Sequence, residues 1–336
     1  MSKYSPLFGF ELQSFFAHAR TALWYGLQQL PVESGQTMLV PDYICEAVLH
    51  PLDDLGIRTV FYPVDDSFVP DWEVLETLQG GEPAHAFLIV HYFGQPQDIE
   101  RARDFCNQHG LWLIEDNSHG HGGSLNGRPL GSFGDLGFSS PRKQLQSASG
   151  GILYLHGKPA DTTQDGLCTY PVSWFKQSIR SLVSPFPSLK GMLRQVFRSE
   201  PDFTDHSAFP EIRMAYYRAD PVSSQRILSE NWREHAASRR EAWRAWSQVA
   251  VGYGLQPIWK EPHPESCPWL LPVYASNRKL RLSLLRSGWR KGLNFSPWPH
   301  LPESVSQSSP STVDRWQSLL CFPLHQKPKI LDIKVS

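Results

Sequence analysis

Short apolar runs alternating with helix-periodic stretches constrain this chain more than any other feature. Residues 98–109 carry Ile99, Ala102, Phe105 and Cys106 at helical spacing, and Leu111-Trp112-Leu113-Ile114 follows as an unbroken apolar run. A strand covered on both faces needs such a run, because neither set of its alternating side chains meets water. Residues 37–40, 58–62 and 86–90 repeat the pattern with helical stretches between them. Alternation of this kind predicts an α/β protein with a mostly parallel central sheet. Phe138 and residues 152–155 read as two further strands.

The chain has 336 residues, beyond the size at which one hydrophobic core usually stops growing. The expected division is a large domain over 1–205 and a smaller α+β C-terminal domain over 206–336. Between 162 and 210 the periodicity loosens, broken by Pro171, Pro185, Pro187 and Pro201, and residues 232–251 then read as a long amphipathic helix. Charges nearly cancel, 32 Lys plus Arg against 33 Asp plus Glu, and no basic run marks a nucleic-acid footprint. The cysteines Cys45, Cys106, Cys168, Cys267 and Cys321 are scattered without a C-x-x-C pair, so neither a disulfide framework nor a zinc site is expected. No stretch approaches about 18 consecutive apolar residues, and no N-terminal apolar leader is visible. The expectation is a cytoplasmic protein with no metal, membrane or nucleic-acid partner.

Two residues carry most of the chemical information. Glu115-Asp116 falls at the C-terminal end of the 111–114 strand, the rim where open α/β sheets bind ligands. Lys143, in Gly137-Phe138-Ser139-Ser140-Pro141-Arg142-Lys143, reads as a Schiff-base lysine with Asp116 as the acidic partner of a cofactor ring. The alternative readings are an ordinary loop acid or helix cap and a solvated surface lysine. Ala19-Arg20-Thr21-Ala22-Leu23 offers backbone donors for a phosphate at a helix start, unless Thr21 lies inside a helix running from 14 to 30.

Residues 84–154 resemble the DegT/DnrJ/StrS family of pyridoxal-phosphate-dependent sugar aminotransferases. The resemblance rests on His91-Tyr92-Phe93-Gly94-Gln95, on Ile114-Glu115-Asp116-Asn117-Ser118-His119-Gly120-His121-Gly122, on Gly127-Arg128-Pro129-Leu130-Gly131-Ser132-Phe133-Gly134-Asp135, and on Phe138 through Lys143 with Gly150-Gly151. Weaker similarity includes Pro41-Asp42-Tyr43 and Pro272-Val273-Tyr274. The resemblance implies the fold-type-I architecture of aspartate aminotransferase and pyridoxal 5′-phosphate as cofactor. Lys143 would hold it covalently, Asp116 would face the ring nitrogen, and His119 would stand near the ring hydroxyl. Thr21 and Ala22 would bind the phosphate, joined by Ser140 or its competitor Ser139, and Tyr43 would stack on the ring or sit in the core. His91 and His121 read as structural.

The resemblance further implies transfer of an amino group from glutamate to a keto-sugar, nucleotide-linked, by a homodimer. Two alternatives stand beside transamination. One is a sugar dehydratase or lyase with the same cofactor, although in such relatives a histidine replaces the lysine. The other is a non-catalytic binding or regulatory protein on the same scaffold. One departure concerns the dimer, because Glu211 stands where the family often has an Asn reaching the partner's phosphate. Arg180, Arg194 and Arg198 read as nucleotide contacts or as solvated charges, and Trp269, Trp289 and Trp298 as pocket walls or core.

Overall fold

A computed structural model describes residues 14–155, 167–172 and 216–328. Glu211, Arg180, Arg194, Arg198 and most of 162–210 lie outside the described residues. The chain divides into two compact units, and the sequence crosses between them repeatedly where the reading above drew one boundary at 205. The first unit draws its described residues from 14–170, 216–240 and 263–269, the second from 171–172, 241–262 and 270–328.

In the first unit the elements run β1 (Ser14–Phe16), α1 (Ala19–Leu27), β2 (Thr37–Pro41), α2 (Leu49–Asp54), β3 (Arg58–Tyr62), α3 (Trp72–Gln79), β4 (Ala86–Val90), α4 (Ile99–His109) and β5 (Trp112–Asn117). The hairpin β6 (Ser124–Leu125) and β7 (Arg128–Pro129) leads to β8 (Leu136–Ser139), α5 (Pro141–Leu145), β9 (Gly151–Leu155), β10 (Cys168–Thr169), β11 (Tyr217–Arg218) and α6 (Pro221–Ser229). Among the described residues a nine-stranded sheet has the order β10-β11-β1-β9-β8-β5-β4-β2-β3. Its block β3-β2-β4-β5-β8 is parallel, and β9 and β1 continue it antiparallel. Strands β2, β4 and β8 are buried at every position, β4 with an uninterrupted apolar run.

Local chemistry sets the helix bounds. The Asp98 side chain accepts from Arg101 N–H at 3.0 Å to open α4, and Gly110, at φ 67°, ends it in the left-handed conformation glycine adopts without penalty. Ile99, Ala102, Phe105 and Cys106 form the buried face, each large side chain contributing roughly 1.5–3 kcal/mol. The helix start expected at Ala19–Leu23 is present, α1 beginning at Ala19, and the alternative of one helix from 14 to 30 is not. Residues 14–16 are drawn instead into antiparallel pairing with β9, so the chain is extended where a helix would otherwise begin.

Asp220 caps α6 and joins it to the loop before β9. Its carboxylate accepts from Ser223 N–H at 2.9 Å and from the Ser149 hydroxyl at 2.6 Å. Burial alone would raise this carboxyl's pKa, yet the bonds from Ser149 and Ser223 hold it below the ordinary aspartate value. Asp220→Ala is therefore expected to cost about 1–2 kcal/mol at neutral pH. The folded pKa is the lower one, so this stabilisation is complete above pH ~4 and fades as pH falls through the folded value. Urea melts of parent and variant should accordingly converge below pH ~4.

The second unit packs α7 (Trp232–Gly252, from residue 241 on), α8 (Arg278–Arg290) and the antiparallel sheet β12 (Gln256–Pro257), β13 (Leu270–Tyr274), β14 (Leu319–Pro323) around Trp243, Trp246, Leu271, Leu284, Phe295 and Phe322. Phe295 and Phe322 stack with centroids 4.4 Å apart. Trp289 belongs to this core, with its indole N–H on the Phe295 carbonyl at 2.8 Å, and Trp298 is buried. Among the described residues no helix is long and apolar enough to cross a membrane.

Candidate active site

The parallel strands deliver their C-terminal ends to one edge of the sheet, and the candidate residues gather there. Asp116 is in the last turn of pleat of β5, Tyr43 follows β2, Phe93 follows β4, Ser139 ends β8, and Lys143 sits in α5. Lys143 and Asp116 are the charged members. Burial lowers the pKa of the half-buried Lys143 amine, an effect that the negative Asp116 opposes and Arg142 reinforces. Burial raises the Asp116 carboxyl, while Lys143 and the Ser118 N–H, 2.7 Å from Oδ1, pull it back. Each charge thus opposes, in part, the desolvation that favours the neutral form of the other.

His119 is buried, and burial followed by the Lys143 charge holds it well below the usual histidine pKa, so it is neutral. Its Nδ1 accepts the Phe93 N–H at 3.3 Å, which leaves the proton on Nε2. Phe93 reaches that geometry only by adopting φ 55°, ψ 15°, a left-handed conformation that costs a non-glycine residue about 1 kcal/mol or more. The adjacent Gly94 has φ 85°, and a Cβ there would meet the Cys267 and His119 carbonyl oxygens at 2.9 Å. Glycine therefore lets the 263–269 segment approach the site. That approach brings in Trp269, whose ring lies 4.9 Å from His119 and 4.8 Å from Lys143 Nζ.

The start of α1 leaves polar groups open. The Thr21 and Ala22 N–H groups both turn to the His18 carbonyl, at 3.0 and 3.2 Å, so the open first-turn donors are those of Ala19 and Arg20. Thr21 is 1% exposed, and its Oγ1 has no hydrogen-bond partner among the described residues. A buried hydroxyl without a partner costs about 1–3 kcal/mol, a penalty that a polar ligand group would relieve. Gly151 permits this turn, since a Cβ there would sit 2.3 Å from the His18 carbonyl.

The two serines part company. Ser139 is fully buried and its hydroxyl is committed to His121 Nδ1 at 2.9 Å and, at 3.4 Å, to Tyr154. Ser140 instead occupies the N-cap position of α5 without bonding the helix through its side chain. Tyr43 is buried within an aromatic cluster, 4.9 Å from Phe68 and 6.4 Å from Tyr92 between ring centroids. His91 serves the scaffold: Nδ1 accepts Gln97 N–H at 3.1 Å and Nε2 bonds Glu115 at 2.9 Å. Sequence reasoning left two contributors unassigned, namely Trp269 as a neighbour of the amine and Arg239. Only the tryptophan carried a signal, and it was shared with eleven others among the 12 in the chain.

Comparison with known proteins bears on this geometry. Residues 16–167 match the DegT/DnrJ/EryC1/StrS aminotransferase family model. The GDP-perosamine synthase of Vibrio cholerae is 30% identical over 162 residues, covering 45% of this chain and 44% of that protein. A UDP-N-acetyl-3-dehydro-alpha-D-glucosamine 3-aminotransferase of Acidithiobacillus ferrooxidans is 33% identical over 142 residues, covering 40% of this chain and 37% of that one. The matches thus span less than half the length of these curated relatives. The fold extends further than the sequence match. A DegT DnrJ EryC1 StrS aminotransferase from Brucella abortus superposes with TM-score 0.62 at 19% identity, covering 96% of this chain and 86% of that one.

Proposed function

We propose, since residues 16–167 match the DegT/DnrJ/EryC1/StrS aminotransferase family model, that this protein is a pyridoxal-phosphate-dependent aminotransferase acting on a keto-sugar. The observation that carries the reading is the electrostatically coupled pair of Lys143 and buried Asp116 beside a neutral His119. The residues fit the cofactor. The unsatisfied Thr21 hydroxyl, the first-turn amides of α1 and Ser140 suit a phosphate, Asp116 suits a protonated ring nitrogen, and the Nε2–H of His119 suits the ring hydroxyl.

When bound, pyridoxal phosphate supplies an electron sink that makes the amino donor's Cα proton removable. The chain's own groups do the rest. Asp116 would favour a proton at the ring nitrogen, because a buried carboxylate gains from a cation placed beside it. Lys143 Nζ, with its pKa lowered by burial, is available as a free base to take the Cα proton and return it one position away. His119 stays neutral throughout and donates without competing for that proton.

The relatives named as a GDP-perosamine synthase and a UDP-linked dehydro-glucosamine aminotransferase support a nucleotide-linked acceptor. The proposal further takes glutamate as the donor and a cytoplasmic homodimer as the working form. Steady-state assays with glutamate and a panel of GDP-, UDP- and dTDP-linked keto-sugars test this. Amino-sugar formation from one nucleotide-linked acceptor is expected, and turnover only with free keto acids would overturn the sugar assignment. Light scattering at assay concentration should give twice the chain mass, and a monomer would contradict the dimer.

Thr21→Val removes the buried hydroxyl and keeps the shape. Without cofactor the variant should be as stable as the parent or slightly more so. Its cofactor dissociation constant should rise about tenfold, the loss of one hydrogen bond to a charged group. Equilibrium dialysis with pyridoxal phosphate measures this, and unchanged affinity would remove Thr21 from the phosphate site.

A further inference from the structure

Lys143 and Trp269 are distant in sequence, yet their segments are bound together by a buried polar clamp. Arg239 of α7, 4% exposed, donates from Nη2 to the Gln144 carbonyl at 2.7 Å and from Nη1 to the Trp269 carbonyl at 2.9 Å. Gln144 returns the connection, its Nε2 donating to the Cys267 carbonyl at 2.7 Å. On its other side Trp269 donates its N–H to the Phe93 carbonyl at 3.2 Å. Arg239 is itself aimed by His235, whose Nε2 accepts from the guanidinium Nε at 3.0 Å while Nδ1 meets Glu230 at 3.1 Å.

The clamp uses properties that only arginine has. A planar fork reaches two carbonyls at once and presents a third donor in the same plane, which a lysine ammonium on a flexible stem does not do. Its outcome is a tryptophan whose backbone is fixed through both its N–H and its carbonyl, with its ring 4.8 Å from Lys143 Nζ. Trp269 stays half-buried, unlike Trp243 and Trp246, which are fully enclosed in the second unit's core.

We propose that Trp269 and Arg239 are positioning residues for the Lys143 amine: the indole face holds the ammonium, and Arg239 locks the indole segment and the amine segment into one rigid piece. The proposal rests on the reading of Lys143 as the reactive amine. A cation held over an indole is favoured in its charged form by an amount equal to roughly 0.5–1.5 pKa units. The indole therefore acts together with Asp116 and against desolvation. The other charged or titratable groups facing the amine are Cys45, Arg142 and His119, and they remain in place in every variant below.

The test is competitive labelling of the full, cofactor-free chain with acetic anhydride across a pH series, with the Lys143 peptide read by mass spectrometry. Trp269→Leu should lower the pH of half-reaction by roughly 0.5–1 unit, and Trp269→Phe should restore part of the shift. Arg239→Gln should shift the midpoint the same way, and combining it with Trp269→Leu should add nothing, because Arg239 acts through the indole. If Arg239→Gln does not fold, Arg239→Lys replaces it in the same cycle. A parental Lys143 that labels like the surface lysines defeats the reading of the amine itself. A shifted parental midpoint that Trp269→Leu leaves unmoved defeats this proposal alone, and additive shifts in the double variant exclude Arg239 from it.

Discussion

Lys143→Ala should abolish amino transfer, lowering turnover by at least ~10³-fold while leaving the fold intact. The residue is asked to do two things, to hold the cofactor and to move the donor's proton, and alanine does neither. Proton transfer by a positioned base alone is worth about 10²–10⁴ in rate. The fold should survive because the side chain is half-buried, forms no ion pair among the described residues within salt-bridge distance, and its removal relieves a desolvated cation. Conversion of glutamate to 2-oxoglutarate measures the loss, and added methylamine should recover a small fraction by supplying a diffusible base. Retention of more than a tenth of parental turnover would assign the base to another residue.

Glu115→Ala should destabilise the protein by about 3–5 kcal/mol, the usual cost of emptying one side of a buried polar network. Glu115 is 0% exposed. Its carboxylate accepts the Gly131 N–H at 3.0 Å, the Gly134 N–H, and the His91 Nε2–H at 2.9 Å. Alanine strands all three donors in the interior of the sheet. The loop they organise cannot simply relax outward, because Gly131 packs so tightly on β8 that a Cβ on Gly137 would overlap the Gly131 carbonyl at 1.8 Å. Against a typical total stability of about 5–15 kcal/mol, such a loss would leave the variant marginal. Urea unfolding followed by circular dichroism gives the difference. A change within ~0.5 kcal/mol would mean that water or a rearranged loop replaces the carboxylate.

These two adjacent acids show what a sequence makes legible. Glu115 and Asp116 are recognisable as a strand end because the preceding apolar run is continuous, a pattern that burial on both faces enforces. Helix α4 is equally legible, since Ile99, Ala102, Phe105 and Cys106 keep the helical period and Asp98 and Gly110 mark its ends. The start of α1 is not. His18 occupies the N-cap position with no side-chain bond to the helix, so no Ser, Thr, Asp or Asn marks the boundary, and Phe15 and Phe16 suit a helix as well as a strand. Pairing with β9, remote in sequence, decides for the strand.

The same limit hides the Arg239 clamp. Two of its three partners, Gln144 and Trp269, lie on remote segments, and nothing local distinguishes this arginine from the exposed arginines of α7. The return of residues 216–240 to the first unit is hidden for the same reason, because it is a matter of long-range contacts and not of composition. Trp269, Trp289 and Trp298 read alike in sequence. Their surroundings separate them, one beside an amine and two within apolar cores.

The decisive measurement is borohydride reduction of the protein loaded with pyridoxal phosphate, followed by peptide mapping, with the visible spectrum recorded before and after glutamate is added. A near-ultraviolet to visible band that glutamate shifts, and a reduced cofactor recovered only on the peptide containing Lys143, is the predicted result. A cofactor recovered on another lysine, or none retained at saturating concentration, would contradict the assignment of Lys143 and with it the proposed chemistry.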